Sequence, residues 1–144
     1  MDLFSRKIIG WSISKRIDTD LTLQALRMAI RKRKPKKGVI HHLDRGVQYL
    51  SEEYVSELKK NGFIVSNSEK GNPYDNAFME RFMRILKQQE VYLAQYETYL
   101  DVMDQLPLFI ENVYNEKRVH SSIDYLTPNE LEEMEKSNKN MSRF

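Results

Sequence analysis

Val39-Ile40-His41-His42-Leu43-Asp44-Arg45-Gly46 and, further on, Asn72-Pro73-Tyr74-Asp75-Asn76-Ala77-Phe78-Met79-Glu80 decide how this chain folds. The first is a short apolar run after the breaker Gly38. Its length favours a strand over a helix, and it ends at Asp44. In the second a loop becomes a helix, and Glu80 lies within the first turns. Thirty-five residues (45–79) separate the two acids. A carboxylate at the end of a strand and another on a later helix suit divalent metal ions in phosphoryl transfer. Two plainer readings stay open. Asp44 can be a turn-forming Asp ahead of a turn glycine, and Glu80 a solvated helix residue paired with Arg84 at i+4.

Outward from this stretch, Lys7 to Ser14 alternate, with Ile9, Trp11 and Ile13 on one face, which predicts a strand entered from a hairpin. Asp18-Thr19-Asp20 offers caps for a helix to about Lys34, with Leu23, Leu26, Ala29 and Ile30 at helical spacing and Pro35 and Gly38 as stops. Val39 to Leu43 reads as a buried strand. Ser51 caps a helix over Glu52 to Lys60, Asn61-Gly62 stops it, and Phe63-Ile64-Val65 is a further strand. This order predicts an α/β domain with a partly parallel sheet. From Pro73 to about Glu90, Phe78, Phe82, Ile85 and Leu86 share a helical face, with Met79 and Met83 beside it. Glu80 points away from that face, flanked by Arg84 and Lys87. Tyr96 to Asn115 reads as a helix that Pro107 kinks or divides. Arg118 to Ser122 is a loop, Thr127-Pro128-Asn129-Glu130 a capping box, and Lys136 to Phe144 a frayed end.

The chain is 144 residues long, enough for one domain with a real core. Its net charge of +2 does not by itself mark a nucleic-acid partner, but six of the seven residues Arg31 to Lys37 are basic. They can be a solvated helix end or a phosphate contact. With no cysteine there are no disulfides or thiolate metal sites, which fits a cytoplasmic protein. No apolar run approaches the roughly 20 residues that span a bilayer, so no membrane partner is expected. His41 and His42 point to opposite faces of a strand and read as structural.

His42-Leu43-Asp44-Arg45-Gly46-Val47-Gln48-Tyr49 resembles the His-Ser-Asp-Arg-Gly-x-Gln-Tyr motif of insertion-sequence transposases with a retroviral-integrase-type core. Leu43 departs from it, standing where the family usually has Ser. Lys70-Gly71-Asn72-Pro73-Tyr74-Asp75-Asn76-Ala77, then Glu80 and Leu86-Lys87, is similar to the family's third acidic motif, and the gap matches its spacing. Tyr114-Asn115, Arg118, His120-Ser121-Ser122 and Thr127-Pro128 resemble its ending, and Asp2-x-x-Ser5-Arg6 with Gly10-Trp11 its early hairpin.

The resemblance implies a ribonuclease-H-like fold, a mixed sheet flanked by helices, over residues 1–128, with 129–144 a short C-terminal helix and tail. It implies DNA integration and transposition by strand transfer with two Mg2+ or Mn2+ ions, acting on terminal-repeat and target DNA, with self-association or other transposase subunits as partners. Asp44 and Glu80 match the second and third acids of the family's Asp-Asp-Glu triad. Lys87 matches a position placed to meet a DNA phosphate. Arg45 and Asn76 are candidates for positioning DNA or supporting the carboxylates, and Arg118 and His120 are further DNA-binding candidates. The first acid and first strand lie upstream of the matched hairpin, so the expectation is a core truncated at its N-terminus and inactive alone. Two other readings remain: a non-catalytic module that binds DNA or transposase subunits, and a ribonuclease-H-like nuclease that has recruited Asp2 as a ligand.

Overall fold

The computed structural model describes residues 1–43, 51–67 and 76–141. The chain divides into two compact units, Ile9–Glu80 and Met1–Ile8 with Arg81–Phe144.

In the first unit, α1 (Thr19–Arg33) starts where the Asp18 side chain accepts the Leu21 N–H at 2.9 Å. It ends at Lys34, which turns left-handed (φ 44°) and returns its N–H to the Ile30 carbonyl. Pro35 explains the stop, because a residue before proline is disfavoured in the helical region. β1 (Ile40–Leu43) and β2 (Ile64–Asn67) pair in parallel, Ile40 with Ile64 and Leu43 with Asn67. Between them α2 (Glu52–Lys60) is capped by the Ser51 hydroxyl, as its sequence predicts. Leu23, Leu26, Leu43, Tyr54 and Leu58 form the core, with Ile30, Phe63 and Val65 packed against it.

One expectation needs correction here. β1 is not buried along its length: Ile40 is 67% exposed and only Leu43 is sealed. Residues 7–14, expected as a strand, run extended and join no ladder among the described residues, where the sheet has two parallel strands. The extended segment is nevertheless held at close quarters. A Cβ on Gly10 would lie 2.2 Å from the Ala25 carbonyl oxygen, so only glycine lets this backbone rest against α1.

In the second unit, α3 (Ala77–Leu86), which begins in the first, buries Phe82, Ile85 and Leu86. Phe78 and Met83, expected on or beside the core face, are each 43% exposed. A wide π-type turn follows over Lys87–Val91. α4 (Tyr99–Leu108) starts later than its pattern suggests, at a reciprocal capping box between Thr98 and Asp101. Pro107 divides the second long helix as expected. Lacking an N–H and crowding the preceding turn, it is followed by a second wide stretch, Phe109–Asn115. α5 (Pro128–Met141) opens on the anticipated capping box, with the Thr127 N–H on Glu130 Oε2 at 2.8 Å and the Glu130 N–H on Thr127 Oγ1 at 3.2 Å. It stays helical through Met141, past the point where fraying was expected.

Asn115 shows how the backbone of Ile8, in the N-terminal segment, is satisfied. Fully buried, it accepts the Ile8 N–H at 2.9 Å and donates to the Ile8 carbonyl at 3.0 Å, as a neighbouring strand would. Ser5 Oγ donates to Glu132 Oε1 of α5 at 2.8 Å, and Lys7 Nζ reaches Glu132 Oε2 at 3.4 Å. Asn115→Ala strands a buried donor and a buried acceptor of Ile8. It is expected to lower unfolding stability by on the order of 2–4 kcal/mol, read from urea denaturation, and Asn115→Asp is expected to lose at least as much, because it sets a buried carboxylate oxygen against the Ile8 carbonyl and Glu111 Oε2.

Candidate functional site

Asp44 follows directly on Leu43, the last residue of β1, and both Asp44 and Arg45 lie outside the described residues. What the structure does fix is the end of the strand that precedes Asp44 in sequence. Leu43 is 3% exposed, pairs with Asn67 and sits among Leu23, Leu26, Tyr54 and Leu58. The carboxyl ends of parallel strands are where open α/β sheets gather their ligands.

Glu80 lies in the first turn of α3 with its side chain exposed. At about 100° per residue it sits opposite the face that buries Phe82, Ile85 and Leu86. The pair with Arg84 that would make it an ordinary surface glutamate is not formed: among the described residues Glu80 has no ion-pair or hydrogen-bond partner. A carboxylate held outward on a rigid turn and left uncommitted is a suitable oxygen donor for a hard cation. Asn76, half-buried, leads into the same helix. Among the described residues no group of three or more His, Cys, Asp or Glu stands ready to hold a metal ion.

Lys87 is exposed at the start of the wide turn after α3. Arg118 Nη1 donates to Gln89 Oε1 at 2.5 Å, which draws Arg118 to that same turn. His120 packs edge-on against Tyr114, 5.1 Å between ring centres, and Tyr114 packs edge-on against Phe82 at 4.9 Å. The His120 backbone bridges to Leu126, and its Nε2 is buried without a hydrogen-bond partner among the described residues. Burial first, then the charges of Arg118, Arg81 and Arg6, lowers its pKa to about 4. At neutral pH His120 is therefore uncharged and can meet a phosphate only as a hydrogen-bond donor. Arg81 and Arg6 are cations of this neighbourhood that the sequence motifs do not single out for DNA. Arg81 had one signal, its place directly after Glu80.

The other titratable candidates are structural. His41 Nε2 lies 3.1 Å from the Tyr54 hydroxyl and its ring packs edge-on to Phe63, while His42 Nδ1 lies 3.1 Å from Ser66 Oγ. Burial, reinforced by His42, lowers the His41 pKa to about 4. Asp2 Oδ1 accepts the Phe4 N–H at 2.9 Å and the Ser5 N–H at 3.4 Å, closing the N-terminal turn. This gives Asp2 a turn-forming role.

His41 and His120 both bind a proton more readily in the unfolded chain, near 6.5, than in the folded one, near 4. The stability gained by keeping them neutral is complete above pH 6.5 and is lost as pH falls from there toward 4. Urea midpoints are expected to drop across that window. A His41→Gln, His120→Gln double variant is expected to show a shallower drop.

Against known proteins, a family model described as integrase core domain matches residues 1–73, and a second of the same description matches residues 61–128. The chain is 43% identical over 132 residues to the transposase for insertion sequence element IS904 of Lactococcus lactis, covering 92% of this chain and 52% of that protein. It is 38% identical over 142 residues to transposase InsF for insertion sequence IS3A of Escherichia coli, covering 99% and 48%. An insertion element IS600 31 kDa protein of Shigella sonnei is 35% identical over 127 residues, covering 88% and 47%. The chain spans about half the length of the relatives it matches.

Proposed function

The chain belongs to the integrase core domain family, and we propose that it is catalytic-core sequence of an insertion-sequence transposase, serving DNA transposition by metal-dependent strand transfer. The core is taken as residues 1–128 in a ribonuclease-H-like fold, with 129–144 as an appended C-terminal helix. The observation that carries this reading is Glu80, an exposed carboxylate without a partner among the described residues, set opposite the buried face of α3.

Asp44, at the end of β1, and Glu80 are the proposed ligands for Mg2+ or Mn2+. Their chemistry fits, since hard cations take oxygen donors and the structural roles of His41 and His42 leave carboxylates as the donors. When bound, such ions polarise the scissile phosphate and stabilise the departing oxygen. The chain's own residues do the rest. Leu43 anchors the strand that precedes Asp44 in sequence, and the α3 core face turns Glu80 outward. Lys87 contacts a DNA phosphate near Glu80 in sequence, and Arg118, drawn to the Lys87 turn by Gln89, adds a second cation. Arg45 and Asn76 position DNA or support the carboxylates, and His120 offers a neutral donor. The DNA partners are the element's terminal repeats and its target.

Calorimetric titration with Mn2+ tests the ligand assignment. Asp44→Asn and Glu80→Gln are each expected to weaken binding by roughly tenfold or more, while Glu97→Gln, away from both ligands in sequence, leaves it unchanged. Equal Mn2+ affinity in all three variants and the unaltered chain would contradict the assignment.

A further inference from the structure

The strongest charge concentration in the Ile9–Glu80 unit lies away from the proposed carboxylates. α1 ends in Arg31, Lys32 and Arg33, and Lys34, Lys36 and Lys37 continue past it. α2 ends in Lys59 and Lys60. Hydrogen bonds fasten these two ends together: the Gly38 N–H donates to the Gly62 carbonyl at 2.8 Å, and the Ile64 N–H to the Val39 carbonyl at 2.9 Å. The stem of Lys37 lies over Gly62, where a Cβ would come within 2.7 Å of Lys37 Cγ. Eight cations thus converge from two segments far apart in sequence. Seven of them are exposed, Arg33 being half-buried.

No acidic residue occurs from 31 to 40 or from 58 to 65. Among the described residues Lys34, Lys36, Lys37, Lys59 and Lys60 form no ion pair. The helix macrodipole favours cations in a last turn and accounts for Arg31 to Arg33 and for Lys59 and Lys60. It does not reach Lys36 and Lys37, which follow the helix. Lys34, Lys36 and Lys37 stand exposed in a segment with no acidic residue, an arrangement that suits a polyanion.

We propose that this cluster is a DNA-binding surface separate from the carboxylate site, gripping the phosphate backbone of double-stranded DNA without reading its sequence. The proposal rests on the reading that this chain acts on DNA. Both parallel strands begin at the cluster and run away from it, so the surface lies about 10 Å, the rise from Ile40 to Leu43, from the far end of β1. A strand-transfer reaction joins two DNA segments, and a cationic surface set back from the carboxylates can hold backbone while the reacting phosphate is engaged elsewhere. Duplex fits better than single strand, because stacking of unpaired bases needs free aromatic faces. The one aromatic residue in these two segments, Phe63, is packed against His41 and the core.

Fluorescence anisotropy of the full chain with short duplexes of unrelated sequence, over a range of salt, tests it. The substitutions are Lys34→Gln, Lys36→Gln and Lys37→Gln together, all exposed and outside the helices. Removing one lysine–phosphate pair is expected to lower the slope of log affinity against log salt by about 0.9. The triple variant should therefore bind every duplex at least tenfold more weakly at low salt, with a slope shallower by roughly 2 to 3. Its thermal melt should be no lower than the unaltered chain's, its Mn2+ affinity should match, and Lys→Arg at the same positions should restore DNA binding. Unchanged affinity and slope in the triple variant overturns this surface alone. Absence of any salt-dependent DNA binding by the unaltered chain overturns the DNA reading of the function as well. Loss of binding to one duplex sequence only would contradict backbone gripping.

Discussion

The burial of Leu43 is the constraint on which the proposed chemistry depends. A four-residue parallel ladder is too short to fix itself, and Ile40 and Ile64 at its start stand open to solvent. Only at its far end does the strand meet the core, where Leu43 enters the cluster of Leu23, Leu26, Tyr54 and Leu58. That packing fixes the far end of β1, the residue directly before Asp44 in sequence. It also gives a physical reading of the position where the resembled motif usually carries Ser. A leucine here puts a full aliphatic side chain into the α1–α2 core, worth roughly 1.5–3 kcal/mol of burial that a serine would not supply.

Glu80 is positioned by a different means. Phe82, Ile85 and Leu86 set the rotation of α3 by burial, with Phe82 packed on Tyr114, and helical geometry then turns Glu80 outward. The ring stack continues from Tyr114 to His120, whose neighbours Arg118, Arg81 and Arg6 keep the imidazole neutral alongside its burial. Apolar packing and cation placement are therefore coupled around Tyr114, so a substitution that loosens this stack disturbs the electrostatics of the arginines as well.

Features that depend on neighbouring residues were legible in the sequence. Asp18, Ser51 and Thr127 cap helices because the capped N–H groups lie two or three residues away, and Pro107 divides its helix by local sterics. The outward direction of Glu80 followed from periodicity alone. Features set by distant partners were not legible. The alternation of residues 7–14 is that of a strand, but the backbone groups of Ile8 are taken by the side chain of Asn115, more than a hundred residues on. The exposure of Ile40 and Phe78 depends on what packs across from them, which periodicity does not report. Arg6 and Arg81 become neighbours of His120 only once the chain is folded. The convergence of the α1 and α2 cations likewise needed the Gly38–Gly62 hydrogen bond to be seen.

The central claim is that the end of β1 and the first turn of α3 serve one metal site. Paramagnetic broadening of backbone amide resonances by substoichiometric Mn2+ tests it most directly. The amides of Leu43 and of Phe78 to Arg81 are expected to broaden together, before those of other segments. Broadening confined to one of these two segments, or centred on a third, would contradict it.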